Sequence, residues 1–138
     1  MERGFAFLEH TADVGILACG TDLKEAFVNA ARAMFSLITD LDEVNEVASR
    51  TIEITPSSPE NLLVDWLNEL IFLFDVENML YKRFDIREFQ PTRLKAVVYG
   101  EKADTSRHEI KTGIKAATYH MLLVEEKDTC RVRVFFDI

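Results

Sequence analysis

Residues 129–138 read Thr-Cys-Arg-Val-Arg-Val-Phe-Phe-Asp-Ile, and the architecture starts from their alternation. Cys130, Val132, Val134, Phe136 and Ile138 fall on one side of an extended chain, and Arg131, Arg133, Phe135 and Asp137 fall on the other. A two-residue period of this kind marks a strand with one face in a core. Upstream, Ile114 to Val124 reads as its hairpin partner across the turn-like Glu125-Glu126-Lys127-Asp128. A hairpin turning about residue 126 sets Lys115 opposite Asp137, Tyr119 opposite Arg133 and Met121 opposite Arg131. A turn centred half a residue later sets Lys115 beside Ile138 instead. Either register brings Lys115 to the acidic end of the last strand.

Working outward, residues 5–19 read as two short strands, Phe5-Ala6-Phe7-Leu8 and Val14 to Cys19, around the polar turn His10-Thr11-Ala12-Asp13. Thr21 is the expected N-cap of a helix, with Asp22 favouring its dipole. Along that helix Leu23, Phe27, Ala30, Met34, Leu37 and Ile38 share one face. Thr51–Thr55 alternates as a strand, and Pro56-Ser57-Ser58-Pro59 stops it and starts a second helix, with Ser58 as N-cap and Pro59 at the first helical position. Leu62, Leu63, Trp66, Leu67, Leu70, Ile71 and Phe74 make its broad apolar stripe. Val64 and Phe72 lie toward the polar side with Asp65 and Asn68, which predicts a second packed layer over them or a partner patch. Two further strands are expected near 83–89 and 93–99, while 101–113 is polar and unpatterned. Runs of strands with two amphipathic helices predict an α+β fold, an antiparallel or mixed sheet packed with two helices, in one domain spanning 1–138.

The chain has 138 residues, 48% hydrophobic and 29% charged, with ten Phe, as expected of a globular domain able to bury a core. Sixteen Lys and Arg face twenty-four Asp and Glu, a formal net charge of −8. That balance argues against a nucleic-acid binder working through a basic face, so no direct nucleic-acid binding is expected. Cys19 and Cys130 stand far apart without a CxxC pair, which disfavours a disulfide framework or a zinc knuckle; both read as small core residues. No uncharged apolar run approaches 18 residues, so no membrane span is expected, and the chain reads as soluble and cytoplasmic.

Phosphate-cradling glycine motifs, GxSxG and HExxH are all missing, and His10, His108 and His120 have no evident nucleophile partner. What remains are carboxylates at strand ends. Asp13 sits in a turn between two strands, and Asp137-Ile138 offers a side-chain carboxylate, a carbonyl and a terminal carboxylate within one residue. Hard cations such as Ca²⁺ and Mg²⁺ take oxygen ligands of this kind. Asp13, Lys115 and Asp137 therefore form a candidate polar site, able to hold a metal ion or engage a charged group. A structural reading stands beside it: Asp13 caps its own turn, Asp137 is solvated, and Lys115 makes an exposed cross-strand ion pair worth ~0–1 kcal/mol. His10 is a further candidate ligand or a turn histidine bonded to the backbone, and Glu9 could add charge behind Asp13. His120 reads as a partly buried strand residue.

Taken in order, these segments resemble the archease family. The resemblance is carried by His10-Thr11-Ala12-Asp13-Val14, Glu25-Ala26-Phe27 with Ala33-Met34-Phe35, and Leu62-Leu63 with Trp66-Leu67-Asn68-Glu69. It continues through Ile114-Lys115-Ala116-Ala117-Thr118-Tyr119 to Phe135-Phe136-Asp137-Ile138. It runs from about residue 5 to the last residue. The resemblance implies a non-catalytic accessory protein of the RtcB-type tRNA-splicing RNA ligase, a transient partner that joins RNA ends using GTP. Archeases assist formation of the ligase's guanylylated intermediate and its repeated turnover. By position, the family's metal-binding aspartates fall on Asp13 and Asp137, with main-chain or terminal oxygens of Ile138 contributing and a divalent cation, Ca²⁺ or Mg²⁺, as cofactor. Its functionally important lysine falls on Lys115. Negative charge suits an accessory protein that approaches a basic, RNA-handling enzyme. Two other readings compete: a general chaperone or stand-alone binding module using exposed apolar surface such as Phe72 and Val64, and a metal-dependent enzyme in which Asp13 and Asp137 activate a water.

Overall fold

The structure is a computed structural model that describes residues 3–10 and 13–138, apart from the side chain of His10. In chain order the elements are β1 (Phe5–His10), β2 (Asp13–Gly20), α1 (Leu23–Ile38), β3 (Ala48–Ile54), α2 (Leu62–Glu77), β4 (Met79–Gln90), β5 (Arg93–Lys102), β6 (Ala116–Ala117), β7 (Leu123–Glu125) and β8 (Cys130–Asp137). They form two antiparallel sheets rather than one. The larger runs β1-β2-β8-β6, with β7 also paired to β8; the smaller runs β3-β5-β4. The α+β prediction holds, with every strand pair antiparallel.

Helix α1 joins the sheets, packing on β2 and β8 of the larger and on β4 of the smaller. Its N-cap is Asp22, one residue later than predicted. The Asp22 carboxylate accepts the Glu25 N–H at 2.8 Å, and the Glu25 carboxylate accepts the Thr21 N–H at 3.0 Å. Only from position 22 does a side chain reach the third residue of the helix, so Thr21 is left outside it. Ser58 and Pro59 open a short 3-10 turn, Pro59–Asn61, and the α-helix proper starts at Leu62; Ser58 makes no side-chain capping bond. Asn78 ends α2 in the left-handed region (φ 59°, ψ 39°), its N–H donating to Leu73 O.

The core lies between helices and sheets. Trp66 is fully buried, and its indole N–H donates to Phe27 O at 3.1 Å, which ties α2 to α1. Val64 is also buried (1% exposed), as a second packed layer requires, whereas Phe72 on the same helix is 46% exposed. Cys130 is buried and Cys19 partly so, both unpaired.

The predicted strand 114–124 is split. Its lower part pairs Ala116↔Asp137 and Ala117↔Phe136, its upper part Leu123↔Arg133 to Glu125↔Arg131. Residues 118–122 therefore stand opposite only 134 and 135, and the excess loops out. Thr118 starts the excursion by donating both its N–H (3.0 Å) and its hydroxyl (2.9 Å) to Phe135 O, and Met121 turns it at φ 52°. Tyr119 and Met121 are thus not opposite Arg133 and Arg131; instead Arg133 Nε donates to Met121 O at 2.9 Å. His120 lies in this turn and is exposed rather than part of a strand, with its ring 5.8 Å from that of Phe135.

The unpatterned stretch after β5 is ordered by polar contacts. Glu101 accepts the Asn45 N–H at 2.6 Å and Arg107 Nη2 at 2.5 Å. His108 is 2% exposed. Its Nδ1 accepts the Asp104 N–H at 2.9 Å, so in the neutral ring Nε2 carries the proton, 3.0 Å from Glu43 O and 3.2 Å from Glu101 Oε2. The Arg107 guanidinium, and then the Asn45 N–H, hold the Glu101 carboxyl down at about 2. Beyond this knot, Thr39 Oγ1 donates to Glu109 O and Lys111 N to Ile38 O, both at 2.7 Å. The segment is thereby laid along the end of α1 and carried across to the edge of the larger sheet.

A strand-end site of two aspartates and a lysine

Four chain segments finish at one end of the larger sheet. In β1 and β2 the last pair is His10↔Asp13. In β2 and β8 it is Val14↔Phe136, so Asp13 and Asp137 stand level with each other one position further on, at the ends of neighbouring antiparallel strands. On the far side of β8, β6 begins at Ala116, and the residue before it, Lys115, donates its N–H to Asp137 O at 2.8 Å. Val14 packs on the core and Phe136 is fully buried. Alternation along the strands then turns Asp13 and Asp137 to the opposite, outer side.

Asp13 is partly exposed, and Asp137, Ile138 and Lys115 are exposed. The observed register sets Ala116, not Lys115, directly opposite Asp137, which places Lys115 at the level of Ile138. This is the second of the two expected registers. Among the described residues Lys115 makes no ion pair, so the predicted cross-strand salt bridge to the chain end is not formed. Glu9 is exposed and pairs with Val14, one residue out of step with Asp13, so the pleat turns it away from the aspartates. His10 is placed beside Asp13 by its backbone; its side chain, and Thr11 and Ala12 of the turn, lie outside the described residues.

Sequence reasoning missed Asn68. Its side-chain oxygen accepts the Ala117 N–H at 2.8 Å, which pins the short strand β6, and Lys115 with it, to α2. An Asn on the flank of an otherwise apolar helix is the trace of this contact in the sequence, because a polar group there needs a partner.

The donor set at the strand ends is all oxygen: two carboxylates and the main-chain carbonyl of Ile138, while Asp137 O already accepts from Lys115. Among the described residues no group of three His, Cys, Asp or Glu side chains is arranged around a common point. Such a set suits a hard cation that takes much of its coordination from water or from a partner, and does not suit the closed cage of a zinc site.

Fold and site together define a small two-sheet α+β protein whose acidic strand ends meet a lysine at one sheet edge. The chain belongs to the archease family: the Archease protein family (MTH1598/TM1083) profile matches residues 5–138. It is 40% identical over 141 residues to Protein archease of Methanosarcina acetivorans, covering 99% of this chain and 97% of that one. It is 39% identical over 132 residues to Protein archease of Sulfurisphaera tokodaii, covering 95% of each. The solution structure of Methanobacterium thermoautotrophicum protein 1598 superposes with a TM-score of 0.81 at 39% identity, covering 99% of each chain. The crystal structure of a Thermotoga maritima archease, described as a possible chaperone, has a TM-score of 0.68 at 22% identity over 95% of this chain and 94% of that one, and shares the fold. No helix among the described residues is long and apolar enough to cross a membrane.

Proposed function

We propose that this protein is an accessory activator of an RtcB-type RNA ligase and that its strand-end site is the part that acts. The reading is carried by one observation: the Lys115 N–H bond to Asp137 O, together with the β2–β8 register, gathers Asp13, Asp137 and Lys115 at one exposed sheet end. Family membership supports the same reading. Asp13, Asp137 and the main-chain carbonyl of Ile138 would hold a divalent cation, Ca²⁺ or Mg²⁺, which supplies positive charge for phosphate oxygens.

The protein's own residues do the rest. Lys115, free of any described ion partner, is available to the ligase or to its nucleotide. The net charge of −8 speeds encounter with a basic RNA-handling enzyme and keeps the accessory protein off the RNA. In a multiple-turnover ligation assay, Asp13→Ala and Asp137→Ala abolish stimulation at unchanged thermal stability. Normal stimulation by both variants would overturn the role of the site.

A chaperone reading keeps one observation in its favour, Phe72 exposed on α2. Its other anchor, Val64, is buried. Suppression of aggregation of unrelated proteins that survives Asp13→Ala but fails in Phe72→Ser would support it.

A further inference from the structure

Beside α1, three cations line a cavity of about 250 Å³ in a chain that is otherwise rich in acids. Arg3, just before β1, has its guanidinium carbon 4.8 Å from the centre of the Phe5 ring and 5.5 Å from that of Phe7. Arg32 of α1 reaches the same Phe5 ring at 5.7 Å. Its Nη1 is spent on Asn29 Oδ1 at 2.9 Å and, weakly, on Arg3 O at 3.4 Å. Lys111 is brought to the rim by its own backbone bond to Ile38 O.

No described carboxylate lies within ion-pair distance of any of the three. With acids outnumbering bases by eight, two guanidiniums over one aromatic ring with no ion partner among the described residues are unexpected. Like charges so placed repel, and cation–π attraction of ~0.5–1 kcal/mol at exposed rings offsets that only in part. A bound oxyanion would reverse the sign of the interaction. Guanidinium groups match phosphate oxygens in a bidentate fork, and two of them suit a dianion better than a carboxylate, which one guanidinium already satisfies. Ser36, one turn along α1 from Arg32, adds a hydroxyl to the cavity wall.

Two further features fix the orientation. Asp40 and Asp42 line the far end of the cavity, and Asp40 Oδ1 is engaged by the Asp42 N–H at 3.0 Å. They repel an anion, so it must seat at the Arg3–Arg32 end. Phe7 is 43% exposed there, 5.7 Å from Phe5 and on the same face of β1, which offers a flat ring a stacking surface.

We propose that Arg3, Arg32 and Phe7 form a binding site for a phosphate monoester that carries a planar ring, separate from the strand-end site. Calorimetry on the full chain at low salt, with phenyl phosphate, adenosine 5′-monophosphate, inorganic phosphate and adenosine as probes, tests it. Both ring-bearing phosphates bind, inorganic phosphate binds more weakly and adenosine does not. R3Q and R32Q each weaken phenyl phosphate binding about tenfold. F7L weakens phenyl phosphate and leaves inorganic phosphate unchanged. Because Arg3 is exposed, R3Q carries the test even where R32Q disturbs folding. Adenosine binding as tightly as its monophosphate, affinities unchanged by R3Q, or no heat from phenyl phosphate at millimolar concentration would overturn the proposal.

Discussion

The β2–β8 pair and the segment 103–115 both lead to the strand-end site, but they are held in place by different physics. In β2 and β8 an apolar face repeats every second residue, and Ile16, Val132, Val134 and Phe136 are fully buried along it. Register follows, since a one-residue slip would turn that face to water. The segment 103–115 has no such face. It is positioned by Glu101, His108 and Arg107 at one end, by the Thr39 hydroxyl on Glu109 O and Lys111 N–H on Ile38 O in the middle, and by the buried side chain of Ile114 with Lys115 N–H on Asp137 O at the other. One arm of the site is set by burial that repeats along a strand, the other by a short list of directional polar contacts and one buried apolar anchor, Ile114. Burial is spread over many atoms, whereas the polar arm can be released by a single change.

The largest expected effect lies on the buried arm. Phe136→Ala should cost about 3–5 kcal/mol in urea unfolding, from lost burial and the cavity left behind. It should lower the midpoint for the whole molecule. Glu101→Gln comes next, at about 2 kcal/mol, because it strips the exposed Arg107 and the Asn45 N–H of a carboxylate that is itself buried beside His108. Its signature is local: hydrogen exchange should speed up in 103–115 while β2 and β8 stay protected. Equal loss of protection in both regions would contradict the contrast between them.

Acid sharpens the same comparison. The Glu101 carboxyl titrates at about 2 in the folded chain against an ordinary 4.5, so it adds stability that is complete above pH 4.5 and fades as pH falls toward 2. The stability gap between wild type and Glu101→Gln should therefore shrink across that window in thermal melts. Asn78→Ala should cost about 1 kcal/mol, since only Gly and Asn-like residues adopt the left-handed cap of α2 cheaply. Asp13→Asn, smallest of all, should change stability by no more than about 0.5 kcal/mol, as expected of a partly exposed strand-end residue.

Legibility in the sequence divides along the same line. The period-2 pattern of 130–138 and the 3.6-residue stripe of α1 were readable because burial repeats with the element. Lys115 stands at the level of Ile138, one of the two registers the hairpin offered, whereas the β2–β8 pairing that sets Asp13 level with Asp137 is not contained in either periodicity. The interruption at 118–122 was not readable: it depends on Thr118 bonding twice to Phe135 O and on Met121 accepting a left-handed backbone, neither of which disturbs the hydrophobic pattern. The Glu101–His108 knot joins β5, the loop and the stretch before β3, contacts separated by up to 65 residues that leave no periodic trace. The burial of Phe135 on the nominally polar face of β8 has the same origin, since the looped-out turn brings His120 against its ring.

The most direct test is a time course of ligase guanylylation with wild-type protein, with Asp13→Ala, with Lys115→Ala and without any accessory protein. Wild type should raise the rate, and both variants should match the unaided ligase while melting at the wild-type temperature. Guanylylation accelerated equally by wild type and both variants would show that the strand-end cluster is not what the ligase uses.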